Sequence, residues 1–164
     1  MLITILFICT GNTCRSPMAQ AMLQEELQQA DIGRDQVQVL SAGIFASDGE
    51  KAMPQAADAM KERGLSLENH RSRRLTPKLI NEAHLILGMT EEHKQAVLMM
   101  DAAASDRVFS LAEYVAESED SQLQDIPDPF GHSARVYRRT ADTLHEMLRK
   151  LVKRLMEERM VEES

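Results

Sequence analysis

An apolar run followed directly by a loop of small and polar residues constrains the fold of this chain more than any other feature. Residues 2–8 are nearly continuous Leu, Ile and Phe, which is typical of a central parallel strand covered on both faces. Residues 9–16, called here the cysteine loop, lead into a helical pattern with Ser16 as its predicted N-cap and Pro17 at its first position. The chain therefore opens with a strand, a loop and a helix.

The rest of the chain repeats this alternation. Further strands are expected over residues 37–40, 84–89 and 107–109, with helical patterns between them and a long one after Ser133 that should pack across the sheet. We expect an α/β fold with about four parallel strands flanked by helices on both faces. One domain should span residues 1–164, with a mobile acidic loop at 116–124 and a frayed tail at 157–164.

Charge and hydropathy exclude several classes of function. The formal net charge of -7 argues against nucleic acid as a partner, because nucleic-acid binding needs a basic surface. The opening apolar run is too short to cross a bilayer, and no Lys or Arg precedes it as in a signal peptide. We expect a cytoplasmic protein that binds no membrane. The basic run at residues 70–74 is either a solvated face or a local attraction for an anion.

Cysteine usage bounds the redox and metal chemistry. The chain contains two cysteines, Cys9 and Cys14, and both lie in the cysteine loop. This loop is too small for a structural disulfide framework, and no second Cys or His pair stands at zinc-ligand spacing. We therefore expect no metal and no cofactor, and a reducing compartment in which a thiolate survives.

The order of residues in the cysteine loop is typical of a thiol-dependent phosphate site. A thiolate at Cys9 is stabilised by converging backbone N–H groups, the following helix N-terminus and Arg15, and the same groups bind a phosphate dianion. Gly11 and Asn12 tolerate the left-handed backbone that turns N–H groups inward, and Ser16 can donate to the sulfur when it leaves. The alternative is that Cys9 is a small buried apolar residue at a strand end.

Attack on phosphorus also needs an acid for the leaving group. Asp128 is the candidate, since Pro129 stiffens the backbone after it and the acidic loop before it can move. The competing interpretation is that Asp128 only begins a turn.

These features resemble the low-molecular-weight protein tyrosine phosphatase family. The resemblance rests on CTGNTCRSPMA at residues 9–19, Ser-Ala-Gly at 41–43, His70 and Asp-Pro-Phe-Gly at 128–131. It implies Cys9 as the nucleophile, Arg15 as the phosphoryl-binding residue and Asp128 as general acid and then base. It also implies a reversible disulfide between Cys9 and Cys14. The loop-supporting network would comprise Asn12, Ser16, Ser41 and His70. The substrate-binding set would comprise Thr10, Gly11, Asn12, Thr13, Cys14 and Phe130.

Two residues narrow the substrate class. Thr13 and Phe130 look like the protein arginine phosphatase branch, as do the segments at 42–47 and 89–95. Tyrosine-directed members commonly carry a larger aliphatic residue at position 13, which packs on a phenyl ring. A threonine hydroxyl can instead accept a hydrogen bond from a planar guanidinium. Alternatively, Thr13 only fills space.

We therefore hypothesise a monomer that hydrolyses phosphoarginine in proteins. The closest alternative is a phosphotyrosine phosphatase. Thiol-coupled arsenate reduction is disfavoured, because it relays electrons through further cysteines and none follows Cys14. A non-catalytic phosphate-binding module is disfavoured because the nucleophile, arginine and acid are all present.

Overall fold

The computed structural model describes residues 1–118 and 124–158, and a parallel sheet lies at its centre. Its strands are β1 (Ile3–Cys9), β2 (Val37–Gly43), β3 (Leu85–Gly88) and β4 (Val108–Ser110). Their order is β2-β1-β3-β4, and every neighbouring pair is parallel. The predicted four-stranded parallel sheet is confirmed.

Helices cover both faces of this sheet. They are α1 (Arg15–Gln29), α2 (Pro54–Lys61), α3 (Pro77–Glu82), α4 (Glu91–Met100), α5 (Leu111–Val115) and α6 (Ala134–Glu157). The short helix α5 was not expected from the sequence. The long helix α6 packs against α1, α2 and α5 through a buried stripe that includes Leu144, Leu148 and Leu151.

The central strand divides its side chains between two apolar cores. Ile3, Ile5 and Phe7 of β1 face the larger core, which contains the buried residues of α1, α2, α5 and α6. Leu6 and Ile8 face the smaller core beside α3 and α4. This period of two follows from the strand pleat. Since each fully buried side chain of this kind contributes about 1.5–3 kcal/mol, β1 is firmly fixed.

Helix α1 begins earlier than the sequence suggests. Its first residue is Arg15 and its N-cap is Cys14, which makes no side-chain capping hydrogen bond. The prediction of Ser16 as N-cap and Pro17 as the first helical residue was therefore wrong. The physical reason is that the Ser16 hydroxyl contacts Cys9 and Asn12 inside the cysteine loop instead of a helix N–H group.

Two predicted flexible segments lie partly outside the described residues. Of the acidic loop, residues 119–123 are outside them, and of the tail, residues 159–164 are outside them. Helix α6 continues to Glu157, so the described start of the predicted tail is helical. Within the described ranges no helix combines the length and apolar character needed to span a bilayer.

The sheet register positions the cysteine loop. Strand β2 extends beyond its predicted end to Gly43, and Gly43 pairs with Cys9 at the carboxyl end of β1. Gly88 ends β3 at the same edge, and Met89 after it donates its N–H to the Ile8 carbonyl at 2.9 Å. Ligands of open parallel sheets bind beyond this edge. The cysteine loop therefore lies where the fold places a binding site.

Candidate active site

The sulfur of Cys9 is buried and makes hydrogen bonds with two neighbouring groups. The Asn12 backbone N–H lies 3.3 Å from Cys9 Sγ, and Ser16 Oγ lies 2.8 Å from it. Ser16 Oγ also accepts a hydrogen bond from Asn12 Nδ2 at 2.8 Å, so its own proton is free for the sulfur. A Cys9 thiolate can only accept, so both neighbours then act as donors and stabilise its negative charge.

Asn12 organises the loop through both its backbone and its side chain. Its φ of 57° is the left-handed conformation expected from the sequence. Besides Ser16, its Nδ2 group donates to Ser41 Oγ at 3.0 Å, and its Oδ1 accepts the Arg73 N–H at 2.9 Å. His70 Nε2 lies 2.7 Å from the Asn12 carbonyl. The structure thus brings together the four predicted supporting residues.

A second layer holds these supports. Ser41 Oγ donates to Gln20 Oε1 at 2.7 Å, and Gln20 Nε2 donates to a strand carbonyl. Arg73 Nε donates to the Ser41 carbonyl at 3.0 Å. Arg73, which lies in the basic run at residues 70–74, therefore supports the cysteine loop. Neither interpretation of this run from the sequence predicted such a role. Burial lowers the pKa of His70, so its ring is neutral near pH 7 and must donate from Nε2 to the carbonyl.

Arg15 connects the cysteine loop to the predicted acid. Arg15 as a whole is 4% exposed. Its Nη1 donates to the Ile126 carbonyl at 3.0 Å, and its Nη2 lies 3.4 Å from Thr10 Oγ1 and 3.6 Å from Asp128 Oδ2. Its buried Nε has no partner among the described residues. An anion in the loop would supply one, so the arginine fits a phosphate ligand.

Asp128 is half-exposed at the mouth of the site. The Phe130 N–H donates to its Oδ1 at 3.1 Å. Asp128 belongs to residues 125–131, called here the acid segment. This segment is attached to the end of β3, because the Ile126 N–H donates to the Met89 carbonyl at 2.9 Å. Asp125 Oδ1 accepts the Glu91 N–H at the start of α4 at 3.0 Å. A carboxylate distant in sequence is thereby fixed beside Arg15.

The substrate-binding residues predicted on the loop differ in their surroundings. Thr13 is half-buried, and the hydroxyl contact that the structure describes for it is a 4.0 Å approach to Cys14 Sγ. Cys14 is buried, and its Sγ lies 3.5 Å from Tyr137 Oη on α6. Burial raises the pKa of the Cys14 thiol. Both cysteines are free, so the predicted disulfide remains a prediction.

Two exposed aromatic rings border the site. Phe130, predicted from the sequence, is 62% exposed on the acid segment. Phe45 is 74% exposed, and its N–H donates to the Thr10 carbonyl at 2.9 Å. Phe45 was not among the predicted site residues. Its position, an aromatic residue two places after the end of β2, could have marked it as a candidate for binding.

A close backbone contact supports the same side of the loop. A Cβ on Gly43 would lie 2.5 Å from the Thr10 carbonyl oxygen and 2.9 Å from the Asn12 nitrogen. Only a residue without a side chain fits there.

The sequence also missed His93. It is 3% exposed, and its Nε2 lies 3.0 Å from Thr10 Oγ1. Its position three residues after the Thr90 N-cap is a signal for capping, not for catalysis. In the part of the chain that the structure describes, no group of three or more His, Cys, Asp or Glu residues could hold a metal ion.

Taken together, the geometry suits nucleophilic chemistry on phosphorus. A buried sulfur with two polar neighbours, a guanidinium whose Nε–H has no partner in the described part of the chain, and a carboxylate share one strand edge. These are the groups required for a covalent phosphoryl intermediate: a nucleophile, a charge-stabilising cation and a proton donor.

Comparison with known proteins gives the same result. The model of the low molecular weight phosphotyrosine protein phosphatase family matches residues 4–161. A protein-arginine-phosphatase of Bacillus subtilis (strain 168) is 44% identical over 155 residues, covering 94% of this chain and 98% of that protein. The low molecular weight protein-tyrosine-phosphatase PtpB of Staphylococcus haemolyticus is 37% identical, covering 90% of this chain and 96% of its own.

A solved structure matches over almost the full length. It is the YwlE arginine phosphatase in a mutant form with a phosphorylated active-site serine, and it is 42% identical with a TM-score of 0.89. The match covers 98% of this chain and 100% of that one. Family model, sequence relatives and solved structure therefore agree with the geometry of the site: this chain belongs to the low molecular weight phosphotyrosine protein phosphatase family.

Proposed function

We propose that this phosphatase hydrolyses phosphoarginine in proteins through a cysteinyl-phosphate intermediate. The observation that carries the proposal is the Thr13 hydroxyl, half-buried in the cysteine loop with only a long contact to Cys14 among the described residues. Relatives and solved structures that bear the name arginine phosphatase support it.

In the first step, Cys9 Sγ attacks phosphorus. An S–P bond forms, the P–N bond to the guanidino group breaks, and Asp128 gives its proton to the departing nitrogen. Arg15 holds two phosphoryl oxygens with N–H groups that include the unpaired Nε, and backbone N–H groups of the loop bind the remaining charge.

In the second step, the Asp128 carboxylate takes a proton from water. The water oxygen attacks phosphorus, the S–P bond breaks, and the sulfur leaves as a thiolate. The Ser16 hydroxyl at 2.8 Å and the Asn12 N–H at 3.3 Å stabilise this leaving sulfur. The products are inorganic phosphate and an unmodified arginine.

Substrate choice is assigned to Thr13. A guanidinium carries several N–H donors, and each one that loses water without gaining an acceptor weakens binding. The Thr13 hydroxyl oxygen supplies one acceptor, whereas an aliphatic residue would favour a phenyl ring. The exposed rings of Phe130 and Phe45 provide flat surfaces against which a planar guanidinium can stack.

The rival substrate is phosphotyrosine, because relatives named as tyrosine phosphatases share the fold and the family. The deciding experiment compares kcat/KM for matched phosphoarginine and phosphotyrosine peptides, with Cys9→Ser as the blank. We expect a preference for phosphoarginine. A preference for phosphotyrosine would contradict the proposal.

Variants at position 13 test the reason for that preference. Thr13→Ile should move the ratio of the two kcat/KM values toward phosphotyrosine by about 10-fold or more, since a buried donor loses its acceptor. Thr13→Ser is the matched control, because it keeps the hydroxyl and removes only the methyl group. If both variants shift the ratio equally, the hydroxyl does not determine specificity.

The remaining proposals concern the context of the enzyme. We propose that it acts in the cytoplasm on arginine-phosphorylated proteins, as a monomer built from one domain over residues 1–164. The intact set of Cys9, Arg15 and Asp128 disfavours a non-catalytic module. Trapping of a phosphorylated Cys9 in Asp128→Ala would exclude that alternative directly.

A further inference from the structure

The tautomer of the buried His93 follows from its hydrogen bonds. The Thr90 backbone N–H lies 3.1 Å from His93 Nδ1, and a backbone N–H can only donate. Thr90 Oγ1 also lies 3.1 Å from Nδ1 and accepts the His93 N–H at 3.2 Å. His93 Nδ1 is therefore an acceptor and carries no proton.

The single ring proton must then be on Nε2, which faces the cysteine loop. Nε2 lies 3.0 Å from Thr10 Oγ1, so His93 donates to Thr10. Burial, with a contribution from the positive charge of Arg15, lowers the pKa of His93 to about 4, although Asp128 acts in the opposite direction. The ring is therefore neutral at pH 7.

Packing fixes this ring in place. His93 is 3% exposed, and a Cβ added to Gly88 at the end of β3 would lie 2.9 Å from the His93 Cβ. The strand end and the first turn of α4 are therefore in direct contact. A ring held so closely determines where the Thr10 hydroxyl points.

Thr10 in turn contacts the guanidinium that binds phosphate. Its Oγ1 accepts from Arg15 Nη2 at 3.4 Å, while the same Nη2 lies 3.6 Å from Asp128 Oδ2. Arg15 Nη2 is thus shared between a neutral acceptor and a carboxylate. If the Thr10 hydroxyl rotated away, Nη2 would lose its neutral acceptor, and the attraction of the Asp128 carboxylate would be unopposed. A shift toward that carboxylate would remove a donor from the phosphate and occupy the acid.

We propose that His93 is a positioning residue for catalysis: through Thr10 it holds the Arg15 guanidinium in the geometry that binds the phosphoryl group. This inference rests on the proposed role of Arg15 as the phosphoryl-binding residue. It does not depend on whether the substrate is phosphoarginine or phosphotyrosine.

A matched pair of substitutions separates the two contacts of the ring. In His93→Asn, the side-chain oxygen can replace Nδ1 as acceptor for Thr90, but no donor reaches Thr10. In His93→Gln, the longer amide can place its nitrogen near the position of Nε2 and restore that donor. His84→Asn is the remote control, because His84 Nδ1 also accepts a backbone N–H, from Thr4 at 2.9 Å, far from the cysteine loop in the register of β1 and β3.

The readouts are the inhibition constant of inorganic phosphate and kcat/KM for p-nitrophenyl phosphate and a phosphoarginine peptide. We expect His93→Asn to raise the inhibition constant of phosphate and to lower both kcat/KM values by about 10-fold each. This is the effect expected from the loss of one hydrogen bond. His93→Gln should recover part of this loss, and His84→Asn should lose less than about twofold. If the wild type hydrolyses p-nitrophenyl phosphate but not the phosphoarginine peptide, the proposed substrate is wrong. The inhibition constant of phosphate and kcat/KM for p-nitrophenyl phosphate then still test the role of His93.

A double-mutant cycle distinguishes positioning from general stabilisation. In a Thr10→Val background, His93→Asn should cost less than about twofold, because its contact is already gone. A loss of the same size in both backgrounds, or an unaltered His93→Asn enzyme, would overturn the proposal. Imidazole ¹⁵N NMR of the wild type is independent of any variant: it should show a neutral ring protonated at Nε2, and a charged ring or one protonated at Nδ1 at pH 7 would refute the argument.

Discussion

Ser16 Oγ lies 2.8 Å from Cys9 Sγ, and because a Cys9 thiolate has no proton to give, the Ser16 hydroxyl is the donor of this pair when the sulfur is ionised. A serine between a loop and a helix would ordinarily cap the helix. Here Cys14 takes the N-cap position without a side-chain bond, and the hydroxyl serves the nucleophile. The N-terminus of α1 therefore has no side-chain cap, and the Ser16 hydroxyl stabilises charge on the Cys9 sulfur instead.

Removing this hydroxyl should slow the second half of the reaction. Ser16→Ala leaves the departing thiolate with one donor, the Asn12 N–H, so breakdown of the cysteinyl phosphate should slow by about 10- to 100-fold. Rapid-quench measurement with p-nitrophenyl phosphate should show a burst of nitrophenol followed by a slow steady state. An equal loss in the burst and in the steady state would mean that Ser16 acts on formation of the intermediate instead.

Backbone contact between β2 and the cysteine loop leads to a second prediction. Gly43→Ala places a Cβ 2.5 Å from the Thr10 carbonyl oxygen, where backbone must move, so we expect a loss of about 1–3 kcal/mol in the free energy of unfolding. Urea denaturation measures it. Gly11→Ala is the control within the same loop, because its Cβ would meet nothing nearer than Thr13 Oγ1 at 3.7 Å. Equal destabilisation by the two substitutions would contradict the steric explanation.

Local sequence patterns predicted the four-stranded parallel sheet, and the structure brings the predicted reacting groups close together. A continuous apolar strand such as β1, and a loop as constrained as residues 9–16, leave little choice of structure. Asp128 was predicted as the acid because attack on phosphorus needs one. Asn12, Ser41 and His70 were predicted because they match motif positions of a known family. The structure joins all of these at one strand edge.

The missed residues share a different property: their importance depends on distant pairing. His93 resembles an ordinary capping residue until the register of β1 and β3 brings it to Thr10. Arg73 resembles a surface charge until its backbone N–H meets Asn12. Tyr137 is one of many apolar positions on α6 until its hydroxyl reaches Cys14. No local pattern contains such contacts, since they arise only when the sheet and helices pack.

The lowered pKa of His93 makes stability depend on pH. In the unfolded chain His93 has a pKa near 6.5, whereas in the fold it is about 4. Between these values the unfolded state binds the extra proton, so the free energy of unfolding falls as pH falls from 6.5 to 4, by on the order of 3 kcal/mol. Above pH 6.5 the His93 ring is neutral in both the folded and the unfolded state, so this loss of stability is absent.

Comparison with His93→Gln isolates this contribution, because glutamine does not titrate and the other ionisable groups are common to both proteins. The stability difference between wild type and variant should shrink steadily as the pH is lowered through that window. Chemical denaturation at several pH values provides the measurement. A difference that stays constant with pH would show that His93 titrates alike in the folded and unfolded states.

The contact between Cys14 and Tyr137 leads to a prediction about oxidation. Burial raises the pKa of both groups, so Cys14 is a thiol at pH 7 and not a competing nucleophile. The hydrogen bond from Tyr137 acts in the opposite direction and stabilises the Cys14 thiolate. If peroxide converts Cys9 to a sulfenic acid, the Cys14 thiolate attacks that sulfur, an S–S bond forms and hydroxide leaves.

Tyr137→Phe should therefore slow this disulfide closure, because less of Cys14 is ionised, and leave Cys9 open to further, irreversible oxidation. After a pulse of hydrogen peroxide, dithiothreitol should restore a smaller fraction of phosphatase activity in Tyr137→Phe than in the wild type. Cys14→Ser, which cannot form the disulfide, defines the lower limit of recovery. Wild-type recovery in Tyr137→Phe would mean that the tyrosine hydroxyl does not control Cys14, whereas wild-type recovery in Cys14→Ser would remove the disulfide itself.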